Sequence, residues 1–138
     1  MKNLFRTAVF TLILGSAMTM VQSCQKYEDG PMISLRSRTE RISNQWKVEN
    51  YKINGTDYTS LVSSYTETFS KSGAYSYSWT LLNGEGTWDF QNNDKEVKLT
   101  GNGDHTSRTL YILKLKEKEL WYYWMEGSNK HEYHLISQ

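Results

Sequence analysis

From Trp46 onward a turn signal interrupts the chain about every ten residues, and between the signals lie short runs in which apolar and polar residues alternate. That rhythm leaves no room for helices of ordinary length, so the backbone groups of each run must find partners in neighbouring runs. The clearest case is 74–80, where Tyr75, Tyr77 and Trp79 fall on one side and Ser76 and Ser78 on the other. The run 65–70 precedes it, with Tyr65, Glu67 and Phe69 opposite Thr66 and Thr68, and Lys71-Ser72-Gly73 turns between the two. Asn54-Gly55 ends the run 46–53 with the strongest short hairpin signal known. The stretch 56–64 is polar and turn-like, with a helical turn around 60–63. Further runs follow at 87–90 (after Gly84-Glu85-Gly86), 96–100, 107–115, 119–125 and 130–136. Short strands so regularly spaced, without helices between them, predict an all-β antiparallel fold. Eight strands with short connections close most economically as an up-and-down barrel, which leaves no sheet edge free to aggregate.

The material for such a core is aromatic. All five Trp and all ten Tyr follow Cys24, joined there by Phe69 and Phe90. Tyr and Trp bury large areas but need partners for a hydroxyl or an indole N–H, which predicts a core with a wet edge. Cys24 is the sole cysteine, so no disulfide supports the fold.

The first 23 residues have a different character. Lys2 and Arg6 precede an apolar run over 8–21, the pattern of a secretory signal peptide and too short for a spanning helix. Val21-Gln22-Ser23-Cys24 resembles a bacterial lipobox, an aliphatic and then a small residue ahead of a lipid-receiving cysteine; Gln22 is the departure. The resemblance implies cleavage before Cys24, acylation of Cys24 and anchoring to the bacterial outer membrane. Residues 24–33 then read as a lipidated tether. Within it, 25–29 resembles the Gln-Lys-acidic signal that exports some lipoproteins to the cell surface, and Gly30-Pro31 reads as the joint. The remainder, 34–138, is one domain, with a short amphipathic helix expected near its start, Ser34 as its N-cap and Leu35, Ile42 and Trp46 on its apolar side. Loss of Lys2 and Arg6 from the 16 basic side chains leaves the mature chain slightly acidic against 15 carboxylates, so no basic patch argues for nucleic acid.

Several of these motifs together carry a resemblance. Trp46-Lys47-Val48 opens the first strand after a helical entry, 69–75 reads Phe-Ser-Lys-Ser-Gly-Ala-Tyr, Gly86-Thr87-Trp88 starts another strand, and a Leu-Lys-x-Lys-x-Leu-Trp stretch comes late. Over about 42–135 the chain resembles the lipocalin-like domains of bacterial outer-membrane lipoproteins. In lipocalins a Gly lies two residues before the first Trp, and a basic residue near the C-terminus stacks on that Trp. Asn44 stands at the Gly position here, and Lys130 is the nearest basic candidate.

Candidate chemistry is sparse. His131-Glu132-Tyr133-His134 suggests a metal, but alternation along a strand sends His131 and His134 to opposite faces and leaves Glu132 and His134 as two ligands of an incomplete site. The stretch 101–105 looks oxygen-rich but lacks the acidic spacing of a calcium loop. No nucleophile elbow or phosphate-binding glycine motif is present, and nothing selects a catalytic pair among Glu67, Glu85, Asp89 and Glu132. The expectation is a non-enzymatic domain with no cofactor and no metal. The expected lumen face is Trp46, Val48, Glu67, Phe69, Tyr75, Tyr77, Trp79, Trp88, Phe90, Val97, Leu99, Tyr111 and Leu113. Of these, Glu67, Phe69, Tyr75, Tyr77, Trp79, Trp88 and Tyr111 are the candidate ligand contacts. Glu67 would either anchor the polar end of a ligand or accept structural bonds from Tyr or Trp. The stretch 119–125 is apolar on both faces, and the N-terminal helix is the expected cover for the outer one. The first reading is therefore a barrel that takes a small hydrophobic or amphipathic ligand in a cavity on the order of 300 Å³ or more. The other is a filled barrel working as an accessory subunit or inhibitor through its outer surface.

Overall fold

A computed structural model of the chain describes residues 35–102 and 107–138. The signal peptide, Cys24, the tether, Ser34 and most of the 101–105 stretch lie outside the described residues.

The helix is shorter and later than its apolar spacing suggests. Helix α1 spans Arg38–Ile42, and its N-cap is Ser37, whose hydroxyl accepts from the Glu40 backbone N–H while the Glu40 side chain accepts from the Ser37 N–H. This capping box satisfies donors that a helix start leaves orphaned. Leu35 lies before the helix and is fully exposed.

Nine strands follow: β1 (Gln45–Ile53), β2 (Thr56–Asp57), β3 (Thr66–Phe69), β4 (Ala74–Trp79), β5 (Leu82–Gln91), β6 (Glu96–Gly101), β7 (Arg108–Leu115), β8 (Glu119–Glu126) and β9 (Asn129–Ser137). Sequential antiparallel pairing runs from β3 to β9, while β1 pairs with β3 on one edge and β9 on the other. The result is a closed eight-stranded up-and-down barrel. β2 adds a two-residue ninth strand through the Asn54-Gly55 hairpin, where both residues have positive φ (50° and 85°) as a type I′ turn requires.

Three departures from the expected strands have local causes. Gly84 and Gly86 do not precede β5 but lie within it, because the chain turns earlier, at Thr80-Leu81. Gly86 is required there: a Cβ would sit 2.2 Å from the Thr100 carbonyl oxygen on β6. In β1 a register shift between Val48 and Asn50 moves the inward face from Trp46 and Val48 to Tyr51.

The third departure inverts a face. β7 turns Leu110 and Ile112 inward, both buried, while Tyr111 and Leu113 do not join the core. The shift between Ile112 and Lys114 then restores Leu115 to the inside. An alternation read through that bulge places the first half of the strand on the wrong side, since a one-residue slip exchanges every side chain between faces. Tyr111 instead stacks on Tyr123 across the outer surface at 4.9 Å.

Candidate functional site

The lumen has three levels, set by which end of each strand supplies the side chains. The base is apolar. Ile42 and Trp46 are fully buried there with Leu115, Leu120, Leu135 and Val97, and Phe69 is 1% exposed. The Trp46 indole N–H donates to the Ile42 carbonyl at 2.9 Å, so the largest side chain of the base also satisfies the end of the helix that plugs it. Phe69 packs against Tyr75 and Trp88, and Trp88 meets Phe90 edge-on. Ion pairs tie the α1 region to three basal turns: Arg36 to Glu117, Arg38 to Asp94 and Glu40 to Lys71. Largely exposed pairs such as Arg36–Glu117 and Glu40–Lys71 contribute little individually.

The waist is a tyrosine cage around one carboxylate. Glu67 is 1% exposed. Its Oε1 accepts from the hydroxyls of Tyr65 (2.5 Å), Tyr122 (2.6 Å) and Tyr75 (3.2 Å), while Oε2 has no hydrogen-bond partner. Burial, and then the Glu67 charge, push the Tyr65 and Tyr122 hydroxyls well above the ordinary tyrosine range, and Tyr75 shifts the same way for the same reasons. The three phenols therefore stay protonated and act as donors.

The upper level mixes aromatic and polar groups. Tyr65 stacks near Tyr77, and Tyr133 bridges Tyr51, Tyr65 and Tyr122 with ring centroids 4.4 to 5.6 Å apart. Arg108 enters from the start of β7, with its Nη2 3.5 Å from the Tyr65 hydroxyl and its Cζ 4.8 Å from the Trp124 ring centroid. Trp124 stacks on His131 at 4.3 Å, and His131 Nδ1 pairs with the Tyr51 hydroxyl at 2.7 Å. Burial opposes the charged form of Arg108, but Tyr65, Tyr75, Tyr122 and Glu67 outweigh it and hold the guanidinium above its ordinary range. Arg108 Nε, Trp124 Nε1 and His131 Nε2 are all buried without a hydrogen-bond partner. At the rim, Trp79 donates to the Leu61 carbonyl at 3.2 Å, and Leu61, Leu81 and Leu82 are exposed around it.

Six of the seven expected ligand contacts thus line the lumen. Glu67, Phe69, Tyr75 and Trp88 are buried in the base and waist, whereas Tyr77 and Trp79 are partly exposed toward the mouth. Tyr111 is on the outside. Arg108, Trp124 and Tyr51, which the sequence analysis left out of the lumen, face into it. Lys130 does not stack on Trp46; it lies at the opposite end of the barrel, 4.6 Å from the Tyr123 ring. Nor does α1 cover the outer aromatics of β8. Trp121 is sandwiched in the sheet surface between His134 (4.0 Å) and the Lys114 ammonium (3.3 Å). His131 faces in and His134 out, as alternation predicts, and His134 pairs with Glu132 at 2.9 Å. Of the four carboxylates considered for a catalytic pair, only Glu67 is inside. An open groove of about 420 Å³ lies at the base between α1, the β3–β4 turn and β5, lined by Thr39, Lys71, Trp88, Asp89 and Phe90 among others.

No family model matches the chain, and no curated protein does. Solved structures share the fold, two of them from Bacteroides. One is a DUF4847 family protein from Bacteroides vulgatus, 12% identical, with a TM-score of 0.51 over 71% of this chain and 94% of that one. The other is a protein from Bacteroides uniformis, 19% identical, with a TM-score of 0.51 over 72% of this chain and 90% of that one. At these identities the likeness concerns the barrel alone.

Proposed function

We propose that this chain is a lipid-anchored, non-enzymatic lipocalin-like domain of the bacterial outer membrane, exposed at the cell surface, that takes a small hydrophobic or amphipathic ligand at the mouth of its barrel. The observation that carries the reading is the contrast along the lumen. The base is plugged by apolar side chains, while the upper level gathers aromatic rings around polar atoms that the protein leaves unpaired, the usual composition of a small-molecule site. Exposed Leu61, Leu81 and Leu82 supply an apolar entrance beside Trp79. The anchor rests on the lipobox-like Val21 to Cys24, since several acyl chains on one cysteine hold a domain stably at a bilayer.

Native mass spectrometry of the full chain, released from detergent, tests the binding reading: a co-purifying small molecule that leaves on denaturation supports it. In that case Trp79→Ala lowers ligand occupancy. Labelling with a palmitate analogue tests the anchor, with incorporation expected in the native chain and none in Cys24→Ala.

The filled waist favours a second reading. Tyr65, Tyr75 and Tyr122 occupy the section around Glu67, and the outer surface carries the Tyr111–Tyr123 and Trp121–His134 stacks. A barrel so filled would act through its outer surface as an accessory subunit or inhibitor. A clean apo mass together with stoichiometric capture of a defined partner on that surface would support it.

A further inference from the structure

Arg108 is the unusual group of the upper lumen. Its side chain is part-buried with Nε shut off from solvent, and a guanidinium drawn into an interior is commonly paired with a carboxylate. Yet among the described residues no carboxylate oxygen lies within ion-pair distance of Arg108; its Nη2 makes a long contact of 3.5 Å to the Tyr65 hydroxyl, the Tyr75 hydroxyl is close enough to interact with the guanidinium, and its Nε has no partner. Glu67 is near enough to influence it, but the three tyrosine hydroxyls gather on Glu67 Oε1, and Tyr65 stands between the two charges. Beside the guanidinium, the Trp124 ring carries a second buried donor without an acceptor, its Nε1. Trp124 is held from its other side by His131, 7% exposed and itself fixed by Tyr51, so the ring cannot swing away to solvate its N–H without breaking that stack.

Two unpaired donors, one of them cationic, in a half-buried aromatic setting call for an acceptor that carries negative charge. We propose that Arg108 and Trp124 bind the carboxylate of an aliphatic ligand, whose chain lies against Tyr77 and Trp79 toward the apolar rim; this rests on the ligand-binding reading above. A guanidinium presents N–H groups in a planar fork that fits the two oxygens of a carboxylate, and charge-assisted bonds of this kind strengthen where water is excluded. The Leu61, Leu81 and Leu82 rim suits the opposite end of such a molecule. Glu67 is the carboxylate that acts on Arg108, from behind Tyr65, while Glu126, 3.3 Å from His131 Nε2, is largely exposed and screened by solvent.

The test compares two probes of equal chain length, octanoate and octan-1-ol, titrated into the full chain in a non-ionic detergent and followed by tryptophan fluorescence. Octanoate is expected to bind about tenfold more tightly or better. Arg108→Gln is expected to bring the octanoate-to-octan-1-ol affinity ratio close to one, whatever it does to the two affinities together, and Trp124→Phe, which keeps a ring and loses only the N–H, reduces the ratio severalfold. Near-ultraviolet circular dichroism checks that each variant is folded; if Arg108→Gln is not, the octanoate-to-octanol ratio in Trp124→Phe decides. Equal binding of the two probes, or a margin that survives in the folded variants, overturns the carboxylate site and leaves the ligand-binding reading standing. Failure of both probes to bind overturns the two together.

Discussion

The two ends of the lumen are built from the same residue classes and differ in how fully their aromatic donors are paired. At the base Trp46 meets its polar need within the chain, at the Ile42 carbonyl, and Trp88 does likewise at the Ser70 carbonyl (2.9 Å). At the mouth Trp79 does so at the Leu61 carbonyl, but Trp124 does not, nor does the adjacent Arg108 at its Nε. An aromatic side chain with its hydrogen bond satisfied internally is a structural element, since nothing outside is needed to complete it. One whose N–H is buried and unpaired costs free energy unless something arrives to accept it. The Glu67 cage lies between the two regimes, with one carboxylate oxygen saturated by three hydroxyls and the other without a partner.

The comparison is broken most severely from the alkaline side. Tyr65, Tyr75 and Tyr122 resist ionisation in the folded barrel because of burial and the Glu67 charge, whereas in the unfolded chain they titrate near 10. The folded values are the higher ones, so this contribution is complete below about pH 10 and is lost as pH rises beyond it. At up to ~1.4 kcal/mol per pH unit for each tyrosine, the three together cost on the order of 4 kcal/mol per unit above that point. Denaturant melts between pH 8 and 12 should show the fall, with the phenolate absorbance of Tyr65, Tyr75 and Tyr122 appearing only as the barrel opens.

Next in size is the base. Trp46→Ala leaves a large cavity and an unpaired helix-end carbonyl, and should cost ~3–5 kcal/mol in chemical unfolding. A smaller loss, about 1–3 kcal/mol, is expected for Glu67→Gln, which keeps an acceptor for the tyrosines but removes the charge. The same variant should bring tyrosine ionisation to lower pH, a readout that a packing defect alone does not produce. Trp124→Phe has the smallest effect, within about 1 kcal/mol, since the lost N–H has no partner in the protein. If it instead destabilises the barrel as much as Trp46→Ala, the mouth is a second structural core and the contrast between the ends fails.

Much of the barrel was legible before any coordinates. Asn54-Gly55, Lys71-Ser72-Gly73 and the 74–80 alternation each have a single physical reading, and the structure places a hairpin or strand at all three. The Ser37-x-x-Glu40 capping box was equally readable, and it marks the true helix start better than the apolar spacing did. The side of β7 was not. Residues 109–115 alternate plausibly in either phase, and the bulge before Lys114 lets Leu115 point inward whichever phase the first half adopts. Arg108 was missed for a related reason. A basic residue at a strand start reads as solvent-exposed, and only the register Leu99↔Arg108, beside inward Leu99, shows that it faces the lumen.

The sequence by itself determined the number of barrel strands, most of the turns and the aromatic character of the interior, because period-two alternation and turn chemistry are local and need no knowledge of partners. Tertiary structure alone decided which aromatic donors of the lumen find a partner within the chain and which do not. That depends on bulges, on the helix and the residues just before it reaching three basal turns, and on side chains far apart in the chain converging. Tyr65, Glu67, Tyr75 and Tyr122 meet only when the barrel closes, and so do Arg108, Trp124 and His131.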